Sequence, residues 1–315
     1  MGEFRKENLY ITASDGKKLF ATYYGAENEK ALVVIMHGMR EHSSRYERFA
    51  SFLAENGFSA LAFDARGAGR TAETPEELGF TGEKNGFILL TEDAKTVAEY
   101  GKTVLKAKNI VIFGHSFGSF VAQGLMAKAP TLADGYILCG TRGRHFFEAQ
   151  FFRFFVGLLT FFLGKRYRPR FLEKMALGYY NRKIKEKPSG PVGNFAWTTS
   201  VEEAAAAFCV DPLCNYVPTL TFYRDLAHSL CFIHKRQSMR KIPNKIPVAI
   251  FAGGDDPVGE YGRGPKWLGK AYVALGLSDV SVKIYEGSRH EILNEWNRHE
   301  VKTDILAWLE NRFRE

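Results

Sequence analysis

Cysteine is scarce in this chain. Four occur in 315 residues (Cys139, Cys209, Cys214 and Cys231), and none is spaced with histidine in a metal-ligand pattern. So thin a set argues against a disulfide-stapled scaffold and against a metal site, and for free thiols in a reducing compartment. The chain also lacks an uncharged apolar run of the roughly 20 residues that cross a bilayer. Its most apolar stretch is interrupted by Glu148 and Arg153. The opening MGEFRKENLY has no apolar segment of secretory type, so the cytoplasm is the expected location. No nucleic-acid reading motif accompanies the positive charge, and no nucleic-acid partner is expected.

What is present is a globular composition, 45% hydrophobic and 25% charged. The length suits one large α/β domain with an insertion, or two domains. The net charge of +8 is unevenly placed. Thr141 to Lys245 holds 18 Lys/Arg against 7 Asp/Glu, a balance of +11, which leaves −3 for the remainder. The basic segment is also the most aromatic one.

The most informative stretch is Ile110-Val111-Ile112-Phe113 running into Gly114-His115-Ser116-Phe117-Gly118. Phe120, Val121, Gly124 and Leu125 follow at helical spacing. This reads as a buried strand, a tight turn and a helix, with the Ser116 hydroxyl exposed at the tip beside a helix N-terminus. On the N-terminal side, Leu9–Thr12 and Lys18–Tyr24 read as a hairpin about Ser14-Asp15-Gly16. Ala31–Met36 and Phe58–Phe63 are continuous apolar runs, as in parallel strands covered on both faces. A helix is expected from Tyr46 to Asn56, and a long one after about Phe87. Gly135–Cys139, Ile246–Phe251 and Val280–Tyr285 are further strands. Helices are expected over Trp267–Leu275 and Arg298–Phe313. Strands separated by helices predict a mostly parallel sheet with sites beyond the strands' carboxyl ends.

A serine hydroxyl needs a base, a group orienting that base, and donors for an oxyanion. Of eight histidines, His290 alone follows a late strand in a short Gly/Ser loop, and it is the expected base. His37 and His115 sit inside other motifs and are expected to shape backbone; His42 lies just beyond the first of these, and His299 on a solvated helix. His145, His228 and His234 fall in the basic segment. Of the adjacent pair Asp255 and Asp256, the fixed geometry of Pro257 favours Asp256 as the orienting carboxylate, with Asp255 a turn residue. The order Ser116, Asp256, His290 is nucleophile, acid, histidine. Oxyanion donors are expected at the backbone N–H groups of Phe117 and Met39.

His37-Gly38-Met39-Arg40-Glu41-His42-Ser43-Ser44-Arg45-Tyr46 resembles the HGxxEHSxRY stretch of monoacylglycerol lipases and related lysophospholipases, the serine aminopeptidase S33-like α/β-hydrolases. The Asp64-x-Arg66-Gly67-x-Gly69 stretch, the GHSFGS turn and DPVG at Asp256 resemble the same group. The likeness covers about Leu9–Thr141 and Ile246–Phe313. It implies an α/β-hydrolase fold: a mostly parallel central sheet flanked by helices, with a helical cap inserted. It also implies no cofactor, and a small-molecule carboxylic ester substrate such as an acyl glycerol or lysolipid. Glu41, Arg45, Tyr46 and Asp64 would then tie down loops.

The core is thus expected from residues 1–140 and 242–315, and the cap from 141–241. Cap helices are expected in the stretch from Phe146, over Trp197–Phe208, and over Leu220–Arg240. Phe151, Phe155 and Phe162 are candidates to line an acyl pocket. The apolar stretch with Lys165, Arg166, Arg168 and Arg170 behind it, then Lys183, Lys185 and Lys187, also reads as a lid touching an anionic lipid surface at the periphery of a membrane. The expected function is a serine hydrolase cleaving medium- or long-chain carboxylic esters through a Ser-His-Asp acyl-enzyme; the alternatives are an aminopeptidase or acyltransferase using the same triad, and a non-catalytic ligand-binding protein on this fold. The aminopeptidase reading is disfavoured by the lack of an acidic cluster in the cap.

Overall fold

The computed structural model describes residues 3–143, 146–184 and 195–314. His145, Lys185 and Lys187 lie outside the described residues. Eight strands form one sheet: β1 (Phe4–Thr12), β2 (Lys18–Ala26), β3 (Ala31–Met36), β4 (Phe58–Phe63), β5 (Ile110–His115), β6 (Gly135–Cys139), β7 (Val248–Gly253) and β8 (Val280–Tyr285). Their spatial order is β1-β2-β4-β3-β5-β6-β7-β8. The hairpin β1–β2 and the β2–β4 pair are antiparallel, and every other pairing is parallel. This is the α/β-hydrolase architecture. β7 starts two residues after Ile246, because Pro247 has no N–H to give a ladder.

Side-chain alternation along the central strands builds a core on each face. Leu32, Val34, Met36, Ile110, Ile112 and Leu138 pack on one face. Above them lie α2 (Gly86–Thr103), α3 (Phe117–Lys128) and, further along, α9 (Arg263–Ala274). Val33, Ile35, Val111, Phe113, Ile137 and Ala249 face the opposite way, toward α1 (Glu47–Glu55) and α10 (Arg298–Glu310). With both faces covered, the strand ends are where loops are free to build a site.

Between β6 and β7 lie only helices among the described residues: α4 (Phe146–Leu163), α5 (Arg170–Lys183), α6 (Glu202–Val210), α7 (Leu220–Ile233) and the short α8 (Arg236–Met239). Two expectations shift here. The Trp197–Phe208 segment becomes helical only at Glu202, because its first residues are spent on core contacts. Arg289 donates to the Ala196 and Thr199 carbonyls, Glu291 N–H to the Thr198 carbonyl, and Ser200 N–H to Glu295. The segment from Leu220 to Arg240 breaks between α7 and α8 at His234, whose ring meets Trp267 edge-on.

Candidate active site

Ser116 sits at φ 51°, ψ −119°, between β5 and the first residue of α3. Its N–H donates to the Cys139 carbonyl of the neighbouring strand at 2.9 Å. Two glycines make the turn possible. A Cβ on Gly118 would stand 2.4 Å from the Met36 carbonyl oxygen, and one on Gly114 would stand 2.5 Å from that of Gly118. Such contacts exclude any side chain there.

The loop after β8 brings His290 over this serine. His290 Nε2 lies 2.8 Å from Ser116 Oγ, and Nδ1 lies 2.9 Å from Asp256 Oδ2. Asp256 is fully buried, and its Oδ1 accepts the Val258 N–H at 2.8 Å. The carboxylate therefore holds the proton on Nδ1 and leaves Nε2 to accept from the serine. Asp255 is half-buried in the adjacent turn, with its N–H on the Ser288 carbonyl.

Gly38–Arg40 runs beside the serine: a Cβ on Gly38 would reach Ser116 Cβ at 3.1 Å. Three groups hold this loop. His37 Nδ1–H donates to the Gly38 carbonyl at 2.7 Å, while Nε2 accepts the Ala65 N–H. Gly38 N–H donates to Glu41 at 2.6 Å. Arg40 is buried, donates to the Cys214 carbonyl, and pairs with Glu173 of the inserted segment. Asp64 accepts the Ser43 and Arg70 N–H groups, so it fixes a loop and does not face Ser116. Among the described residues the Met39 N–H has no protein acceptor, and the Phe117 N–H, first in α3, has no helical one.

Two cavities flank this loop. One of about 390 Å³ is lined by Ser116, His290, Leu177, Phe195, Trp197 and Phe208. The other, about 470 Å³, lies behind Met39 and Phe117 and is walled by Met36, Leu90, Val121 and Phe222. These volumes include space open to solvent, and both walls are mostly apolar. The acyl-pocket expectation for Phe151, Phe155 and Phe162 is corrected. None of the three lines either cavity. Phe151 and Phe162 are each 72% exposed, and Phe155 packs beside Val156, Leu172, Leu220 and Tyr223. The inward face of α4 is built from Ala149, Phe152 and Val156, whereas Phe147, Phe151, Phe154, Phe161 and Phe162 gather on the outer side, so phenylalanine content does not mark the buried face. The aromatic residues that do approach His290 come later in the insertion. Trp197 lies 5.1 Å from the His290 ring, centroid to centroid. Its place in a Trp-Thr-Thr turn gave no signal.

His42, Asp211 and Cys214 bring one potential metal ligand each within 4.8 Å of one another. Their hydrogen bonds close without an ion: His42 Nε2 meets Asp211 Oδ2 at 2.9 Å, and Nδ1 meets the Ser44 hydroxyl at 2.6 Å. Burial pushes the Cys214 thiol up, out of the range in which it ionises.

A serine on a strained strand–helix turn, with a histidine and a buried aspartate at the ends of later strands, defines an α/β-hydrolase. Comparison with known proteins narrows the class. The chain belongs to the serine aminopeptidase S33 family, whose model matches residues 27–297. It is 25% identical to the monoglyceride lipase of Saccharomyces cerevisiae over 98% of this chain and 93% of that one. It is 23% identical to the monoacylglycerol lipase of Mycolicibacterium smegmatis over 97% of both. A solved carboxyl esterase from Bacillus coagulans, in complex with glycerol, superposes with a TM-score of 0.89 at 28% identity, covering 98% of this chain and 99% of that one. The chain is an enzyme of this ester-hydrolase type, monoacylglycerol lipase-like over nearly its whole length.

Proposed function

We propose that the chain hydrolyses the ester of a monoacylglycerol or lysolipid with a medium or long acyl chain. The observation that carries the reading is the unbroken relay Ser116–His290–Asp256, at 2.8 and 2.9 Å, beside apolar cavities. Ser116 Oγ attacks the carbonyl carbon while His290 Nε2 takes its proton. The Met39 and Phe117 N–H groups donate to the oxyanion. As the intermediate collapses, His290 returns the proton to the leaving alcohol and the acyl group stays on Ser116. Water, deprotonated by His290, then attacks the acyl-enzyme and releases the acid.

The walls around Ser116 suit an acyl chain better than a charged peptide N-terminus. Glu41 and Glu291 are the carboxylates lining the cavity, and both are spent on Arg45. The names of the relatives, monoacylglycerol and monoglyceride lipase, favour the same substrate.

The substrate's source is an anionic lipid surface, met through the outer face of α4. Phe147, Phe151, Phe154, Phe161 and Phe162 are all largely exposed there. Part of the basic flank is otherwise engaged, since Lys165 and Arg166 share Glu83 and Arg168 donates to the Val217 and Glu76 carbonyls. No helix among the described residues is long and apolar enough to cross a membrane.

The test is hydrolysis of 4-nitrophenyl esters and monoacylglycerols of graded chain length by the native chain and by Ser116→Ala. Turnover peaking at medium or long chains, and falling by at least about 10³-fold in the variant, is the expected result. A peak at acetate, or turnover that survives the substitution, contradicts it.

A further inference from the structure

Four histidines around this site can be read from what their ring nitrogens face. His290, His37 and His42 each have one nitrogen toward an acceptor and one toward a donor, which a neutral ring satisfies. His115 differs. Its Nδ1 lies 3.1 Å from Glu41 Oε2, and its Nε2 lies 3.4 Å from the His290 carbonyl oxygen. The remaining neighbour of Nδ1, the Tyr46 hydroxyl at 2.9 Å, is itself 2.8 Å from Glu41 Oε2 and has one proton to give. With that proton on the carboxylate, both His115 nitrogens face acceptors alone. A neutral ring would leave one lone pair facing an acceptor, Nδ1 against Glu41 or Nε2 against the His290 carbonyl, unless the tyrosine turned its proton from Glu41 to Nδ1.

The surroundings balance a cation. Glu41, Tyr46, His115 and Glu291 are all buried. Arg45 pairs with Glu41 and reaches Glu291 through two contacts, at 2.8 and 3.2 Å. Two carboxylates thus meet one guanidinium, and a charged His115 makes the buried set neutral. Burial pulls the His115 imidazole down, but Glu41 beside it outweighs that and raises it above the ordinary histidine value. Glu41 is held well below the usual carboxylate range: burial alone would raise it, and Arg45 and His115 overcome this. The other groups facing His115 are Cys139 on β6, kept neutral by burial, and the His290 ring at 5.0 Å. Arg48, Arg298 and Lys302 line the outer part of the cavity behind it.

Each member of this set adjoins a residue of the relay or of its oxyanion loop. His115 precedes Ser116, Glu291 follows His290, and Glu41 holds the Gly38 N–H next to Met39. We propose that His115 is a positioning residue carried as an imidazolium, a buried cation between Glu41 and the His290 carbonyl that keeps nucleophile turn, oxyanion loop and histidine loop in register. Its effect on turnover rests on the ester-hydrolase reading above, whereas its charge does not. Deprotonation breaks the contact to Glu41 or to the His290 carbonyl, so the arrangement holds at low and neutral pH and loosens as pH rises through the raised His115 value.

Nitrogen-15 correlation spectra of the histidine rings of the full chain, from about pH 6.5 to 9, test the charge directly. Expected is one buried ring protonated on both nitrogens at pH values where His37 shows one protonated nitrogen, and its conversion to a neutral ring in Glu41→Gln. No doubly protonated ring in the native chain overturns the proposal. In kinetics, Glu41→Gln is expected to move the alkaline limb of kcat to lower pH by about one unit, with KM little changed and Glu41→Asp partly restoring the profile. A fall in kcat that is equal at every pH means a merely structural role and also overturns it. Absence of any Ser116-dependent turnover would strike the ester-hydrolase reading while leaving the ring spectra decisive for His115.

Discussion

Asp256 and His290 are a buried pair whose geometry matters more than its attraction. His290 is 2% exposed and Asp256 not at all, so little water competes for the Nδ1 proton. Asp256→Asn would leave the packing almost unchanged but offer an amide where a carboxylate now accepts, and the ring would turn or change tautomer. We expect kcat to fall by about 10⁴-fold with KM within a factor of a few, as for a lost orienting carboxylate. A loss below tenfold in steady-state assays would mean that Asp255 or another acid serves His290. These residues are readable from sequence because each lies in a short motif at a strand end, where the backbone settles the side chain's direction. Choosing Asp256 over Asp255 needed only the following proline. The His115 contacts were not readable in that way, because Glu41 and His115 are 74 positions apart and meet only when β3 and β5 pair.

At the scale of elements, the inserted helices divide into two kinds. The segment from Phe195 to α7 is bolted to the core through Arg40, Arg289, Glu291 and Glu295. The outer face of α4 has no such cover: Phe147 is 84% exposed and Phe161 82%. Sequence reading located the helix but not its inward face, because most of its phenylalanines gather on the exposed side while Ala149 and Val156 turn inward. Phe151→Ser with Phe162→Ser is expected to weaken sedimentation with vesicles of anionic phospholipid by roughly tenfold or more, since each ring gives about 1.5–3 kcal/mol when fully buried. Hydrolysis of a short, water-dispersed ester should change less than twofold. Equal loss of both activities would place these rings in the substrate path after all.

At the scale of the molecule, the sheet explains why residues so far apart in sequence cooperate. β3, β5, β7 and β8 run parallel, so the loops carrying Met39, Ser116, Asp256 and His290 all leave from one edge. Strands β3 to β7 were legible because fully covered strands are short apolar runs bounded by turn residues, and the antiparallel β1–β2 hairpin because alternating runs flank a turn signal. The cap was less so, since its helices take their ends from contacts with the core, as the late start of α6 shows. The most direct test of the central claim is covalent trapping of the nucleophile. The native chain would be treated with a long-chain alkyl fluorophosphonate, its intact mass measured, and the modified peptide sequenced. One adduct per chain, on Ser116, absent from Ser116→Ala and strongly slowed in His290→Ala, is the result this account predicts. An adduct on another residue, or labelling equally fast without His290, would contradict it.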